Sequence, residues 1–373
     1  MFKEVILIGF SFLFSKFFFL IIPYLITAAE YKNFNENYYT ASLLSILTIF
    51  VLDYVNARYS VKLKHLIIFC FITFTSIFII LSFVNDINLF TILLWINNLI
   101  ISFTLTIFLY NSQVMKYFQI NVLVFVLSLS SILISYYLLD LFSIYSILLF
   151  LFSLTLLPKL IRRRTEFSKI NLKDALRLSF GIFIINSSAG LLFNYDKFLV
   201  NNYMDMNTAN AFTFSWSVLV PALYIGNVFE KSLYSREKII LSFNKTFLLN
   251  MMSILAYLLF IWIILLNGYL IPKSVAADKL SIIIIELSIG IGLLGILHYP
   301  LIAVLLKSIS SVIQNKLALA AVIISLTAIT LLGMITCNNK LTISAVIIIT
   351  FTEIIGINSF KGILIFKKTQ LDT

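Results

Sequence analysis

Apolar runs of about twenty residues, separated by short polar breaks, recur along the whole chain. Each matches the ~30 Å hydrocarbon core of a bilayer at about 1.5 Å rise per residue. Twelve such runs are predicted as helices, near 5–29, 39–58, 65–84, 89–110, 118–138, 144–160, 176–195, 209–230, 246–270, 281–304, 317–336 and 341–363. The first is longer than the roughly 7–15 apolar residues of a signal-peptide core, and Lys16 interrupts it, so it reads as a retained span. A soluble fold fails for want of surface: 12% of the 373 residues are charged and 61% hydrophobic, against about 25% charged in globular domains. The expectation is an all-α polytopic membrane protein.

A net charge of +11 would point toward nucleic acid in a soluble domain, but in a membrane chain the placement of Lys and Arg carries the information. With the amino terminus inside, the inner loops receive Lys3, Arg58, Lys62, Lys64 and Lys116, the cations from Lys159 to Arg177, and later groups including Arg236, Lys245, Lys316 and Lys368. The outer side keeps Lys32, Lys197, Lys273, Lys279 and Lys340. This asymmetry places both termini in the cytoplasm. No nucleic-acid partner is expected, and membrane lipids are the surroundings. External loops are predicted at no more than about ten residues, so the protein works within the bilayer or at its interfaces.

The longest polar stretch divides the chain into an N-terminal six-helix lobe over 1–160, a basic cytoplasmic linker over 161–177, and a C-terminal six-helix lobe over 178–373. Arg162-Arg163-Arg164 in the linker reads as a loop held to anionic lipid, at about 1 kcal/mol per basic residue, or as a partner surface. Tyr39-Thr40-Ala41-Ser42 in span 2 is echoed by Phe212-Thr213-Phe214-Ser215 in span 8. Each follows an outer loop rich in asparagine: Asn33, Asn35 and Asn37 in one case, Asn201, Asn202 and Asn207 in the other. Parallel repeats of this kind place a cavity between two bundles near the midplane, as alternating access requires.

Several common chemistries lack their motifs. No Walker A sequence is present, so no ATP hydrolysis by that route is expected. Cys70 and Cys337 fall inside apolar runs and His65 and His298 lie far apart, so neither disulfide nor metal spacing is visible. Gly290-Ile291-Gly292-Leu293-Leu294-Gly295 matches the dinucleotide fingerprint but lies within an apolar helix with no preceding strand, so it reads as helix packing. No catalytic residue, metal or cofactor is assigned.

Ionisable residues inside the membrane are the functional candidates, since one at a helix centre costs about 2.5–3.5 kcal/mol on insertion scales. Lys16 lies roughly 16 Å into span 1, near the midplane, and Glu353 lies roughly 18 Å into span 12 from the outer face. Asp53 falls in the inner third of span 2 and Glu286 in the outer third of span 10. Asp196, Lys197 and Arg58 are expected near the interfaces, where snorkelling makes charge inexpensive. Lys16 and Glu353 form either a structural pair or separate groups facing a wet cavity. A lysine in such a cavity attracts anions, a diphosphate headgroup among them. Glu353, Asp53, Glu286 or Asp196 could carry a coupling ion.

Asp53-Tyr54-Val55-Asn56-Ala57-Arg58, closing span 2, resembles the end of span 2 in polysaccharide flippases. Leu172-Lys173-Asp174-Ala175-Leu176-Arg177-Leu178-Ser179-Phe180-Gly181, with Tyr195-Asp196-Lys197-Phe198-Leu199-Val200, resembles the start and exit of that family's span 7. The chain is thus similar to the Wzx-type O-antigen and capsular polysaccharide flippases, within the multidrug/oligosaccharidyl-lipid/polysaccharide exporter superfamily. The resemblance covers the whole topology and reaches residue level over 1–60 and 170–235. It implies a bacterial inner-membrane transporter, not an enzyme, that moves undecaprenyl-diphosphate-linked oligosaccharide units to the outer leaflet. It further implies a V-shaped pair of lobes, with spans 1, 2, 7 and 8 lining a cationic cavity that Lys16, Arg58 and Lys197 would serve. A proton or sodium gradient would drive it, and polymerase and chain-length proteins of the same pathway would be its neighbours. The alternatives are an O-antigen polymerase-type glycosyltransferase, which would show large outer loops, and a cation-coupled drug antiporter of the same superfamily.

Overall fold

The computed structural model describes residues 2–49, 63–82, 88–110, 113–138, 140–162, 173, 194–222, 243–266, 271–308, 311–337 and 342–369. Asp53 and Arg58, nearly all of the 161–177 linker and almost all of span 7 lie outside the described residues, as do the side chains of Lys16 and His298. Every regular element among the described residues is a helix. We number them α1 (Phe2–Leu25), α2 (Ala28–Ile49), α3 (Leu63–Ser82), α4 (Leu89–Tyr110), α5 (Val114–Ser135) and α6 (Leu141–Arg162). There follow α7 (194–203), α8 (Met206–Leu219), α9 (Phe243–Leu266), α10 (Ala277–Ser308), α11 (Ser311–Cys337) and α12 (Ile343–Thr369).

Helices are the form in which an apolar segment satisfies its own backbone within lipid. Among the described residues, Leu89–Phe108, Val114–Ser135 and Leu141–Pro158 are long and apolar enough to cross a membrane. Ile68–Ile79, Met251–Leu265, Ile323–Thr336 and Ile343–Gly356 are shorter apolar helical stretches. The outward faces are apolar as well: Ile282, Ile285, Ile289 and Leu293 are exposed at helical spacing on α10. A water-soluble helix puts polar residues there; this stripe suits a hydrocarbon surround. The chain is a helical membrane protein.

Helices α2, α4, α6, α8 and α12 start on side chains that take up free amides at their ends. Thr27 and Glu30 form a reciprocal capping box on α2, with the Thr27 amide donating to Glu30 Oε2 at 2.9 Å and the Glu30 amide to Thr27 Oγ1 at 3.3 Å. Asn88 accepts from the Phe90 amide at 3.1 Å to start α4, and Asp140 from the Ser143 amide at 3.0 Å to start α6. Asp205 accepts from Thr208 at 3.0 Å to start α8, and Thr342 from Ala345 at 3.3 Å beside α12.

These caps correct the reading of the asparagine-rich stretches as loops. Asn33, Asn35 and Asn37 lie within α2, which begins at Ala28 rather than near 39. Asn201 and Asn202 lie within α7, and Asn207 within α8. The asparagines are used inside the helices. Asn37 Nδ2 donates to the Asn33 carbonyl at 2.9 Å while Asn37 Oδ1 accepts from Thr91 Oγ1 at 3.0 Å, and Asn201 pairs with Thr213 at 3.2 Å.

Packing groups the chain into two compact units, Met1–Lys32 with Leu199–Thr373, and Asn33–Phe198. Helix α1 therefore packs with the C-terminal helices, against α8. In the unit of 33–198, α6 packs on α4 and α5. Phe34 of α2 meets the rings of Phe142 and Tyr145, and the buried Trp95 of α4 donates from Nε1 to Thr48 Oγ1 at 3.0 Å. In the other unit α10 is central, packing on α8, α9 and α12, and α12 also packs on α11.

Candidate functional site

The glycine pair of the misleading fingerprint fixes the α10 contacts. A Cβ on Gly290 would meet the Phe351 ring of α12 at 2.5 Å, and one on Gly292 would meet Leu258 of α9 at 3.3 Å. Without side chains at these two positions α10 can approach both neighbours closely, which is the packing role read from the sequence. Phe351 is buried, its ring 6.0 Å from that of Trp216 on α8.

Two residues beyond Phe351 on α12 stands Glu353, 3% exposed, with neither carboxylate oxygen in a hydrogen bond. On the same face, one turn back, is Thr350, fully buried and with its hydroxyl unpartnered. From α11 the unpartnered hydroxyl of the buried Ser325 faces Glu353. A buried carboxylate without donors is costly to keep ionised, so this place must supply it a proton or a cation. Glu286, the other acidic candidate of this unit, is half-buried on α10. Its Oε1 accepts from Ser344 of α12 at 2.8 Å while Oε2 is buried without a partner. Ser344 precedes Glu353 by nine residues of α12, or about 13.5 Å of helix, so the two carboxylates have different surroundings.

Asp196 and Lys197 do not snorkel. Both are buried, and Lys197 Nζ lies 3.2 Å from Asp196 Oδ1, which also accepts the Lys197 amide at 2.6 Å. The ammonium stands 5.9 Å from the centre of the Tyr39 ring, in cation–π range. Adjacent residues of a helix point in different directions, so the pair holds only because the lysine stem folds back on its neighbour. Among the described residues, Asp196 and Lys197 are the two predicted site residues brought into contact with each other, and Asp196 offsets the charge of Lys197. The helical backbone of α1 runs through Lys16.

No family model matches this chain, and neither a curated protein nor a solved structure does.

The structure adds residues that pattern reading passed over. Asn210 of α8 donates through Nδ2 to the carbonyls of Ala28 at 2.9 Å and Ser274 at 3.1 Å, and Ser274 Oγ donates to the Pro23 carbonyl. Lys32 Nζ reaches the Met204 carbonyl at 3.4 Å. Pro23 lies in the last turn of α1, and these bonds occupy carbonyls around the α1–α2 turn. Nothing local marks Asn210: its partners lie 182 and 64 residues away. Ser325 and Thr350 were hidden for another reason, being single hydroxyls in long apolar runs. Among the described residues, no three His, Cys, Asp or Glu side chains cluster as a metal site.

Proposed function

We propose that this protein is an ion-driven transporter that carries an anionic lipid-linked oligosaccharide, of the undecaprenyl-diphosphate kind, across the bacterial cytoplasmic membrane. The observation that carries the ion-driven reading is Glu353, a carboxylate buried to 3% exposure within an apolar helix, with neither oxygen in hydrogen-bond geometry with a partner. A purely structural helix gains nothing from such a group, whereas a transporter that must take up and release a positive charge needs one. The anionic cargo is supported by Lys16, halfway along α1, and by the resemblance of the span 2 and span 7 segments to polysaccharide flippases. Lys197 attracts such an anion only when its pairing with Asp196 opens, because a neutralised cation has little pull on a phosphate. The two-lobed, V-shaped, alternating-access arrangement with cytoplasmic termini belongs to this proposal.

The test is made in cells that export a polysaccharide through this protein. Lys16→Ala abolishes surface polysaccharide while the protein stays in the membrane at its normal level. Unchanged polysaccharide at equal expression removes Lys16 and the anionic-cargo reading with it.

A further inference from the structure

Many hydroxyls in the described helices follow one habit. Ser45 donates to Ala41, Thr48 to Leu44, Thr104 to Ile100, Ser215 to Ala211, Thr330 to Leu326 and Thr336 to Leu332, each to the carbonyl four residues back at 2.6–2.8 Å. That bond is the default for Ser and Thr in an apolar helix, since it leaves no polar hydrogen unsatisfied. The buried Ser146 of the other unit departs from it, and so do Ser325 and Thr350. The last two are more than nine-tenths buried, and neither hydroxyl has a partner. They stand with the two unpartnered oxygens of Glu353, Thr350 one turn before it on α12 and Ser325 opposite on the adjoining α11.

We propose that Glu353, Ser325 and Thr350 form a binding site for a desolvated sodium ion. Four oxygens, two from a carboxylate and two from hydroxyls, are hard donors with no nitrogen or sulfur among them, the set that suits alkali and alkaline-earth ions rather than transition metals. The site holds one negative charge. A monovalent ion neutralises it, while a divalent one would leave an uncompensated positive charge in an apolar interior. Sodium, the smaller monovalent ion, approaches the carboxylate more closely than potassium and is attracted more strongly. A hydroxyl binds a cation through its oxygen lone pairs, which leaves its hydrogen to point away from the ion. The inference rests on the ion-driven reading above, and it names the ion and the residues that hold it.

The experiment uses the full-length protein in detergent, with no cargo present, melted in NaCl, KCl or choline chloride at one ionic strength. Sodium raises the melting temperature by about 3 °C or more over choline, as ligand linkage requires at concentrations well above the dissociation constant. Potassium has little effect. Glu353→Gln, which keeps the shape and removes the charge, loses the sodium shift. Ser325→Ala and Thr350→Val each raise the half-saturating sodium concentration about tenfold. Direct binding of radioactive ²²Na⁺ to the wild type, displaced by unlabelled sodium and not by choline, gives the same answer should a variant fail to fold. Equal melting curves in all three salts with no displaceable ²²Na⁺ overturn the site, as does a sodium shift that survives in Glu353→Gln. Because no cargo takes part, a failed polysaccharide assay leaves a positive result standing, and a negative one leaves translocation open to a different drive.

Discussion

Gly290→Ala destabilises the protein, and the structure gives the amount. The new Cβ falls 2.5 Å from both Cγ and Cδ2 of Phe351, whereas carbon atoms settle at about 3.5–4.0 Å. Cγ is the root of the ring, so rotating the ring about its own axis does not clear the overlap. Phe351 is 4% exposed with Trp216 close by, which leaves the ring little room to retreat. Helices α10 and α12 must part by ~1 Å or Phe351 must leave its rotamer. Overpacking of this kind costs about 1–3 kcal/mol, here toward the upper end, and replacing glycine by alanine in a helix returns up to ~1 kcal/mol. The net loss is about 1–2 kcal/mol. Gly333→Ala on α11 is the matched control, since its Cβ meets nothing within 4 Å, and it melts at or above the wild type. The assay is thermal unfolding of detergent-solubilised protein, followed by the folded peak on size exclusion. Adding Phe351→Leu to Gly290→Ala recovers part of the loss, because the two positions share one contact. A Gly290→Ala protein that melts as high as Gly333→Ala would refute the α10–α12 packing that places Glu353.

The remaining expectations follow from the other buried contacts and from the caps. Asp196→Ala strips a buried ammonium of its carboxylate at a cost of about 3–5 kcal/mol, whereas Asp196→Leu with Lys197→Met is close to neutral; quantifying folded protein in membranes separates the two, and equal yields contradict the buried pair. Thr27→Ala removes one side of the α2 capping box and costs about 0.5–2 kcal/mol, seen as faster amide exchange at residues 28–31, and Thr27→Ser keeps it. The Thr208 hydrogen bond holds the Asp205 carboxyl below its ordinary 3.8. A lowered acid stabilises the fold above its unfolded value, so this contribution is present at neutral pH and fades as pH falls below about 3.8 through the depressed value. Asp205→Asn flattens that acid limb of the stability curve; an unchanged limb shows that the cap does not titrate there.

Helix existence was readable wherever a long apolar run met a clear polar break. The runs predicted at 65–84, 89–110 and 246–270 lie within a few residues of α3, α4 and α9. Helix α2 starts earlier than its asparagine-rich stretch suggests, since Thr27-Ala28-Ala29-Glu30 spells a capping box ahead of it. Asp205 ahead of α8 carries the same kind of signal. The burial of Glu353 could be anticipated, since a lone carboxylate in an apolar run has few other places to go. The pairing of Asp196 with Lys197 could not, because neighbours along a helix seldom share a face. Nor could Ser325 and Thr350 be singled out: their departure from the usual carbonyl bond exists only in three dimensions. The hydrogen bonds of Asn210 and Ser274 around Ala28 and Pro23 depend on elements far apart in sequence meeting through packing.

Purified protein in liposomes measures the central claim most directly. An undecaprenyl-diphosphate oligosaccharide is placed in the inner leaflet, and its arrival outside is read by an added glycosidase that cannot cross the bilayer. An imposed cation gradient drives protein-dependent cleavage, which Lys16→Ala and Glu353→Gln both reduce to the level of empty liposomes. Cleavage that matches empty liposomes for the wild type, or that is the same in wild type and both variants, would contradict the account.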